Sequence, residues 1–116
     1  MKKLAVIDDE IDFCVLVKMY SNKLNIECRY ANTLADGIKL LKEFSPDVLI
    51  LDNNLPDGSG WQKATSISQQ YPSLQLHLIT AKSAILAYEK PAPSQRLIFH
   101  HKPLSLTDIE KIISKQ

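Results

Sequence analysis

The sequence predicts an α/β fold, a doubly wound, mostly parallel sheet of five strands with helices on both faces. Short continuous apolar segments, typical of strands covered on both sides, alternate along the chain with amphipathic segments of helical spacing. Such alternation favours a parallel sheet with right-handed crossovers. The length of 116 residues suits one domain.

The first half of the chain contains three predicted strands and two predicted helices. Residues 4–7 and 48–51 are continuous apolar strands, whereas residues 26–30 alternate, which favours a less protected strand at an edge of the sheet. The second helix ends before Pro46, because proline disfavours helical backbone at the preceding residue. The apolar stripes expected to be buried are Phe13, Leu16, Val17, Tyr20 and Leu24 in the first helix, and Leu34, Ile38 and Leu41 in the second.

The second half continues the pattern, with strands at 76–79 and 96–101. Capping boxes start the third and the final helix, at Ser59 with Gln62 and at Ser105 with Asp108. Between these strands, residues 83–95 predict a short or irregular fourth helix, because Pro91 and Pro93 stop it. The buried stripes expected here are Ala64, Ile67 and Tyr71, and Leu106, Ile109, Ile112 and Ile113.

Composition excludes several classes of protein. Apolar residues make up 45% of the chain and charged residues 23%, a balance typical of globular proteins rather than disordered ones. No apolar run approaches the roughly 20 residues of a membrane helix, and the N-terminus does not form a signal peptide, so we expect a cytoplasmic protein without membrane contact. The net charge of +1 lacks the basic footprint of nucleic-acid binding. Cys14 and Cys28 are expected to be reduced and partly buried.

Polar side chains follow four of the five predicted strands. Asp8 and Asp9 follow the first, Asp52 the third, Thr80 the fourth and Lys102 the fifth. Because the carboxyl ends of parallel strands meet at one edge of the sheet, we expect a ligand site there. Three carboxylates in a partly desolvated site either have raised pKa values or bind a hard divalent cation, and this donor set suits Mg²⁺.

The cationic and hydroxyl groups at this edge indicate phosphoryl chemistry. Lys102 supplies a mobile positive charge and Thr80 a hydroxyl donor, as a phosphoryl group on a neighbouring carboxylate requires. Asp52 can act as the nucleophile that forms an aspartyl-phosphate. The cation and Lys102 would then neutralise the charge of the transferring group.

Each of these residues also has a plain structural interpretation. The first two aspartates could cap the first helix, Asp52 could be a turn residue, and Thr80 and Lys102 are individually common. Their joint placement favours the functional interpretation. The aromatic residues and histidines are interpreted as structural: Trp61 and His77 as core residues, and adjacent His100 and His101 on opposite faces of a strand, unable to chelate one metal.

The motifs resemble the receiver domain of two-component response regulators over essentially the whole chain. They are Val6-Ile7-Asp8-Asp9-Glu10, then Leu51-Asp52-Asn53-Asn54-Leu55-Pro56-Asp57-Gly58, then Thr80-Ala81 and Lys102-Pro103, with a Thr80-to-Lys102 interval similar to that of the chemotaxis receiver. The resemblance implies a flavodoxin-like fold with strand order 2-1-3-4-5. We therefore expect a single receiver domain over residues 1–116, without an output domain.

The resemblance also implies a role for each matching residue. Asp52 would be the phosphoacceptor. Mg²⁺ would be bound directly by Asp9, by Asp52 and by the backbone carbonyl of Asn54, and Asp8 would act through water or as a base-like orienter. The residues that would respond to the phosphoryl group are Thr80, Lys102 and the switch aromatic Phe99. The residues that would tune the lifetime of the phosphoryl group are Asn54 and Lys82. The peptide bond before Pro103 would be cis.

The expected function is a phosphorylation-dependent switch or relay rather than an enzyme in the usual sense. A sensor histidine kinase or a histidine phosphotransfer protein would donate the phosphoryl group, and a downstream protein would respond to it. Residues 87–93 depart from the family's regular fourth helix, so the usual signalling and dimerisation surface is expected to be reshaped.

Three other functions compete with this one. A constitutive interaction module would keep the acidic site without being phosphorylated. A Mg²⁺-dependent phosphatase of the haloacid-dehalogenase type is disfavoured, because Asn54 stands where its general acid would be. A flavodoxin-like cofactor binder is disfavoured by the acidic rim and by the lack of a phosphate-cradling loop.

Overall fold

The computed structural model describes residues 2–81 and 96–114. Within these residues lie seven strands and four helices. The strands are β1 (Lys3–Ile7), β2 (Glu27–Ala31), β3 (Val48–Asp52), β4 (Asn54–Leu55), β5 (Gly58–Ser59), β6 (Gln75–Ala81) and β7 (Leu97–Lys102). The helices are α1 (Ile11–Lys23), α2 (Leu34–Phe44), α3 (Gly60–Gln70) and α4 (Leu106–Ser114). The short or irregular helix predicted within residues 83–95 lies outside the described residues.

Five of these strands form one parallel sheet in the order β2-β1-β3-β6-β7. This is the predicted order 2-1-3-4-5, once the separate two-residue ladder of β4 and β5 is set aside. β2 lies at an edge of the sheet, as its alternating sequence predicts. The predicted α/β fold class and sheet topology are confirmed.

Helices cover both faces of the sheet, so the central strands are apolar on both sides. In β3, Leu49 and Leu51 pack in one core cluster, and Val48 and Ile50 pack in the other. Side chains alternate between the faces of a strand, which is why a strand between two helical layers needs a continuous apolar sequence. The helical residues of the first cluster are Leu34, Leu41, Phe44, Trp61, Ala64 and Ile67; those of the second are Cys14, Val17, Ile109, Ile112 and Ile113.

The predicted helical stripes are wrong at four positions. Leu16, Leu24, Ile38 and Leu106 were expected to be buried and are 40–52% exposed. In α1 the predicted Val17 is buried, and the rest of the side that faces the sheet is set by Cys14 and Ser21. Several sides of α1 are apolar, so spacing alone did not determine which of them the sheet covers.

The caps and the single-residue structural predictions agree with the structure. The Ser59 hydroxyl accepts the Gln62 N–H at 3.4 Å, and Ser105 and Asp108 exchange two hydrogen bonds of 3.0 Å. Trp61 and His77 are buried, and both cysteines are buried and free. No helix among the described residues is long and apolar enough to cross a membrane.

Candidate functional site

Three carboxylates meet at the carboxyl ends of β1 and β3. Asp52 ends β3 and is buried, Asp8 directly follows β1 and is buried, and Asp9 is exposed. One oxygen from each lies within 4.8 Å of the others. The register explains this proximity: Ile7 pairs with Leu51, so the residues that follow emerge side by side. No other group of three potential metal ligands occurs within the ranges 2–81 and 96–114.

Lys102, the last residue of β7, extends its ammonium group into this cluster. Its Nζ lies 3.0 Å from Asp8 Oδ2 and 3.7 Å from Asp52 Oδ1, and it also donates to Glu10 Oε1. The lysine side chain is only 16% exposed. The peptide bond between Lys102 and Pro103 is cis in the structure. One half-buried cation is thus shared by two buried carboxylates and one exposed carboxylate.

Burial and mutual repulsion change the protonation of this cluster. Burial and, second, the charge of Asp8 raise the pKa of Asp52 to about 7, although Lys102 opposes both effects. Burial also raises the pKa of Asp8, against the Glu10 N–H and Lys102. For Lys102, burial alone lowers the pKa, but its hydrogen bonds to Glu10 and Asp8 outweigh burial, so its pKa is raised. Lys102 therefore stays charged, while the ionised form of the acidic pair is costly.

The donor set fits Mg²⁺. A hard cation with few protein ligands takes carboxylate and carbonyl oxygens and retains water. The residues that could hold it are Asp9, Asp52, Asp8 and the backbone carbonyl of Asn54, which lies in β4 two residues after Asp52. Asp8 Oδ2 is buried and close to Lys102 Nζ, yet makes no hydrogen bond within the described part of the chain. A divalent cation would offset the burial that raises the pKa of both aspartates, and the charge of Asp8 that raises the pKa of Asp52 further.

The other predicted site residues lie at the neighbouring strands. Thr80 comes one residue after Ile79, which pairs with Asp52, and its buried hydroxyl has no hydrogen-bond partner among the described residues. Phe99 packs against the first core cluster and meets Trp61 edge-on, with ring centroids 5.5 Å apart. Lys82 lies outside the described residues. The structure therefore brings the three aspartates, Lys102 and Thr80 to one edge of the sheet.

The loop after Asp52 is anchored by a residue that the sequence analysis did not single out. Asn53 is buried; its N–H donates to Ile79 O at 3.0 Å, and its side-chain oxygen accepts from the Ser59 hydroxyl at 2.6 Å. Gly60 then starts α3 against β3: a Cβ there would lie 2.1 Å from the Asp52 carbonyl oxygen. In the sequence, the available signal was an asparagine directly after Asp52, and a glycine directly after the predicted cap Ser59.

Two further residues at the site were missed. The Asn32 side-chain amide donates to Asp8 O at 2.8 Å and thereby holds the end of β1 from the end of β2. Glu10 binds Lys102, as described above. Asn32 directly follows β2, and Glu10 ends the motif at residues 6–10. Only the tertiary structure shows which residues these two side chains contact.

The histidines do not join the carboxylate cluster. His77 Nδ1 and His100 Nε2 are 2.9 Å apart on neighbouring strands, and burial lowers the pKa of His77 to about 4. His101, next in the chain, is exposed. His77 is therefore a neutral, hydrogen-bonded core histidine, as predicted, and the adjacent pair faces opposite sides of the sheet.

Comparisons with known proteins agree with this geometry. The family model of the response regulator receiver domain matches residues 4–114. The chain is 25% identical over 113 residues to the response regulator protein PilR of Pseudomonas aeruginosa, covering 97% of this chain and 25% of PilR. It is 37% identical over 85 residues to the probable transcriptional regulatory protein TcrX of Mycobacterium tuberculosis, covering 71% of this chain and 35% of TcrX.

A solved structure extends the likeness to the whole fold. The CheY-like response regulator receiver domain protein of Methanospirillum hungatei superposes with a TM-score of 0.84 at 15% identity, covering 99% of this chain and 92% of that one. At that identity the likeness concerns the fold alone. The chain spans about a quarter of the length of PilR and about a third of the length of TcrX. On the family match across residues 4–114, the chain belongs to the response regulator receiver domain family.

Proposed function

We propose that this receiver domain accepts a phosphoryl group on Asp52, with Mg²⁺, from a phosphohistidine of a sensor kinase or histidine phosphotransfer protein. The observation that carries the proposal is the buried Asp52 carboxylate, which lies within reach of two other carboxylates and of the Lys102 ammonium group. This combination supplies a nucleophile, a cation site and a counter-charge at one point. The phosphorylated form would act as a switch or relay toward a downstream protein.

The transfer requires an ionised Asp52. Its carboxylate oxygen forms a bond to phosphorus while the phosphorus–nitrogen bond to the donor imidazole breaks, and the released imidazole nitrogen takes a proton from solvent. Mg²⁺, when bound, neutralises phosphoryl oxygens and favours the charged form of the nucleophile. Lys102 stands 3.7 Å from Asp52 and keeps its charge, so it can pair with the incoming oxygens. The phosphoryl transfer thus depends on positioning and electrostatics. This is consistent with a domain that accepts a phosphoryl group and is not an enzyme in the usual sense.

The response to the phosphoryl group is assigned to Thr80 and Phe99. The Thr80 hydroxyl is buried, lacks a hydrogen-bond partner among the described residues and lies beside the end of β3, so a phosphoryl oxygen would give it one. Phe99, in β7, packs edge-on against Trp61, in α3, within the first core cluster and would shift with its surroundings. Phosphorylation would thereby change the balance between two arrangements of this region and alter the binding of a downstream protein.

Two features of this proposal come from the family likeness. Asn54 and Lys82 match positions that tune the lifetime of the phosphoryl group, and hydrolysis of the acyl phosphate by water would return Asp52 and release inorganic phosphate. A cytoplasmic location follows from the proposed kinase partner.

Intact-mass spectrometry with a small-molecule phosphodonor tests the proposal. We expect one added phosphoryl group in the presence of Mg²⁺, and none without Mg²⁺ or in Asp52→Asn. Asp12→Asn is the matched control, because this aspartate is exposed in the first turn of α1 and outside the cluster, and it should be modified like the wild type. A folded protein that gains no phosphoryl group from either the small donor or a panel of kinases would instead favour a constitutive interaction module.

A further inference from the structure

We infer that Asp57 is a positioning residue. Its side chain attaches the turn between β4 and β5, which follows Asn54, to the start of α2. The inference rests on the proposed function, because it assigns the turn a task at the Mg²⁺ and phosphoryl site. Asp57 lies between β4 and β5, at an exposed position in the loop that joins the phosphoacceptor strand to α3.

The Asp57 carboxylate binds two backbone amides of a distant helix. Its Oδ1 accepts the Leu34 N–H at 2.7 Å, and its Oδ2 accepts the Ala35 N–H at 2.9 Å. These N–H groups have no partner within the helix, and the helix dipole favours a negative charge there. These two amides lower the pKa of Asp57, and the Ala35 N–H has the larger effect. The bond from Asp57 spans 23 residues of sequence, so it ties two separate parts of the fold together.

The helix has its own local cap, which separates the two roles. Thr33 is the N-cap of α2, and its hydroxyl accepts the Asp36 N–H at 3.1 Å. The third free amide of the helix is therefore satisfied without the loop. Asp57 adds a connection between α2 and the turn that the local cap cannot supply.

The turn transmits this connection to Asn54. Asn54 pairs with Ser59, and Leu55 pairs with Gly58, in the two-residue ladder that Asp57 closes. Gly58 has a φ of +152°, and a Cβ there would lie 3.2 Å from the Leu34 side chain, so the turn also packs closely on the start of α2. The backbone orientation of Asn54 therefore depends on where the turn is held.

Asn54 in turn lies two residues after the phosphoacceptor. Its backbone N–H is close enough to lower the pKa of the Asp52 carboxyl group. Its carbonyl is the proposed additional Mg²⁺ ligand. Releasing the turn from α2 should loosen both groups, although Asp57 itself touches neither the metal nor Asp52.

The test compares Asp57→Ala, Asp57→Asn and the matched control Thr33→Ala. Both alanine variants remove an acceptor from the same end of α2, but only Asp57→Ala also frees the turn. In metal-free protein we expect faster amide hydrogen exchange at Asn54 in Asp57→Ala, and the wild-type rate in Thr33→Ala. In a Mg²⁺ titration followed by the fluorescence of Trp61, the single tryptophan, we expect an affinity about 10-fold weaker for Asp57→Ala. Asp57→Asn retains an oxygen acceptor without charge. Its Mg²⁺ affinity and its exchange rate at Asn54 should therefore lie between those of the wild type and those of Asp57→Ala.

The outcomes separate this inference from the proposed function. Equal effects of Asp57→Ala and Thr33→Ala on both readouts, or no effect of Asp57→Ala, would overturn the positioning role, because the carboxylate would then be a helix cap only. A wild type that does not bind Mg²⁺ would count against the proposed function. The exchange rate of the Asn54 amide, measured without metal, would still decide the role of Asp57.

Discussion

Replacing Asp52 by Asn should make the metal-free protein more stable, even though it removes the proposed phosphoacceptor. Asp52 is buried beside Asp8, and burial followed by that neighbouring charge raises its pKa from 3.8 to about 7. The folded state therefore binds this proton more tightly than the unfolded state does. The stabilisation from protonation is fully present below about pH 4 and is lost as the pH rises through about 7.

The size of the effect follows from that shift. A difference of about three pKa units at about 1.4 kcal/mol each makes the ionised carboxylate cost about 4 kcal/mol above neutral pH. Asparagine has the same shape, carries no charge and retains an oxygen acceptor. It also leaves the Lys102 charge less well compensated, so we expect a net gain of about 2 to 4 kcal/mol at about pH 8.

Urea unfolding followed by Trp61 fluorescence and circular dichroism measures this gain. The difference in free energy of unfolding between Asp52→Asn and the wild type should shrink as the pH falls toward about 4. Saturating Mg²⁺ should stabilise the wild type more than the variant and narrow the gap. Asp12→Asn, at an exposed position, should leave the stability near that of the wild type.

Two results would refute the reasoning. An Asp52→Asn protein that is no more stable than the wild type would show that the buried carboxylate is not strained by its charge. A gain that is the same at every pH would attribute the effect to packing or to the unfolded state rather than to ionisation.

Three further predictions concern the loop, the histidine pair and the lysine. Gly60→Ala should destabilise the protein by about 2 kcal/mol in urea unfolding, because the new methyl group would meet the Asp52 carbonyl oxygen at 2.1 Å. Gly37→Ala should cost less, since its methyl group meets only a side chain; an equal cost would contradict the backbone clash. Burial lowers the pKa of His77 from 6.5 to about 4, so the unfolded state binds more protons between these values. His77 should therefore remove up to about 3 kcal/mol of stability as the pH falls through that interval, and His77→Phe should flatten this part of the pH profile. Lys102→Met removes the charge that lowers the Asp52 pKa, so phosphorylation by a small donor should slow by about 100-fold, and an unchanged rate in a folded variant would refute its role.

The sheet and the site edge could be predicted because both depend on local sequence. Residues 48–51 are apolar without interruption, as a strand between two helical layers must be, and a polar residue directly after such a strand lies at its carboxyl end. Parallel register then places Asp8 beside Asp52 without any further information. The strand order and the proximity of Lys102 followed from the same pattern together with the resemblance to the family.

What could not be predicted depends on contacts between distant segments. The burial of Cys14 in place of Leu16 is decided by how α1 lies on the sheet, and an apolar helix offers several choices. The Asn32 side chain donates to Asp8 O, 24 residues away, and the Leu34 N–H donates to Asp57, 23 residues away. The sequence around Asn32 or Asp57 does not indicate which residue each of them contacts.

The central claim is that Asp52 carries the phosphoryl group. Borohydride reduction of the phosphorylated protein converts an aspartyl-phosphate into homoserine, which peptide mass spectrometry can assign to one residue. We expect homoserine at position 52 alone, and only when Mg²⁺ was present during phosphorylation. Homoserine at Asp8 or Asp9, or a stable phosphoryl group that borohydride does not remove, would contradict it.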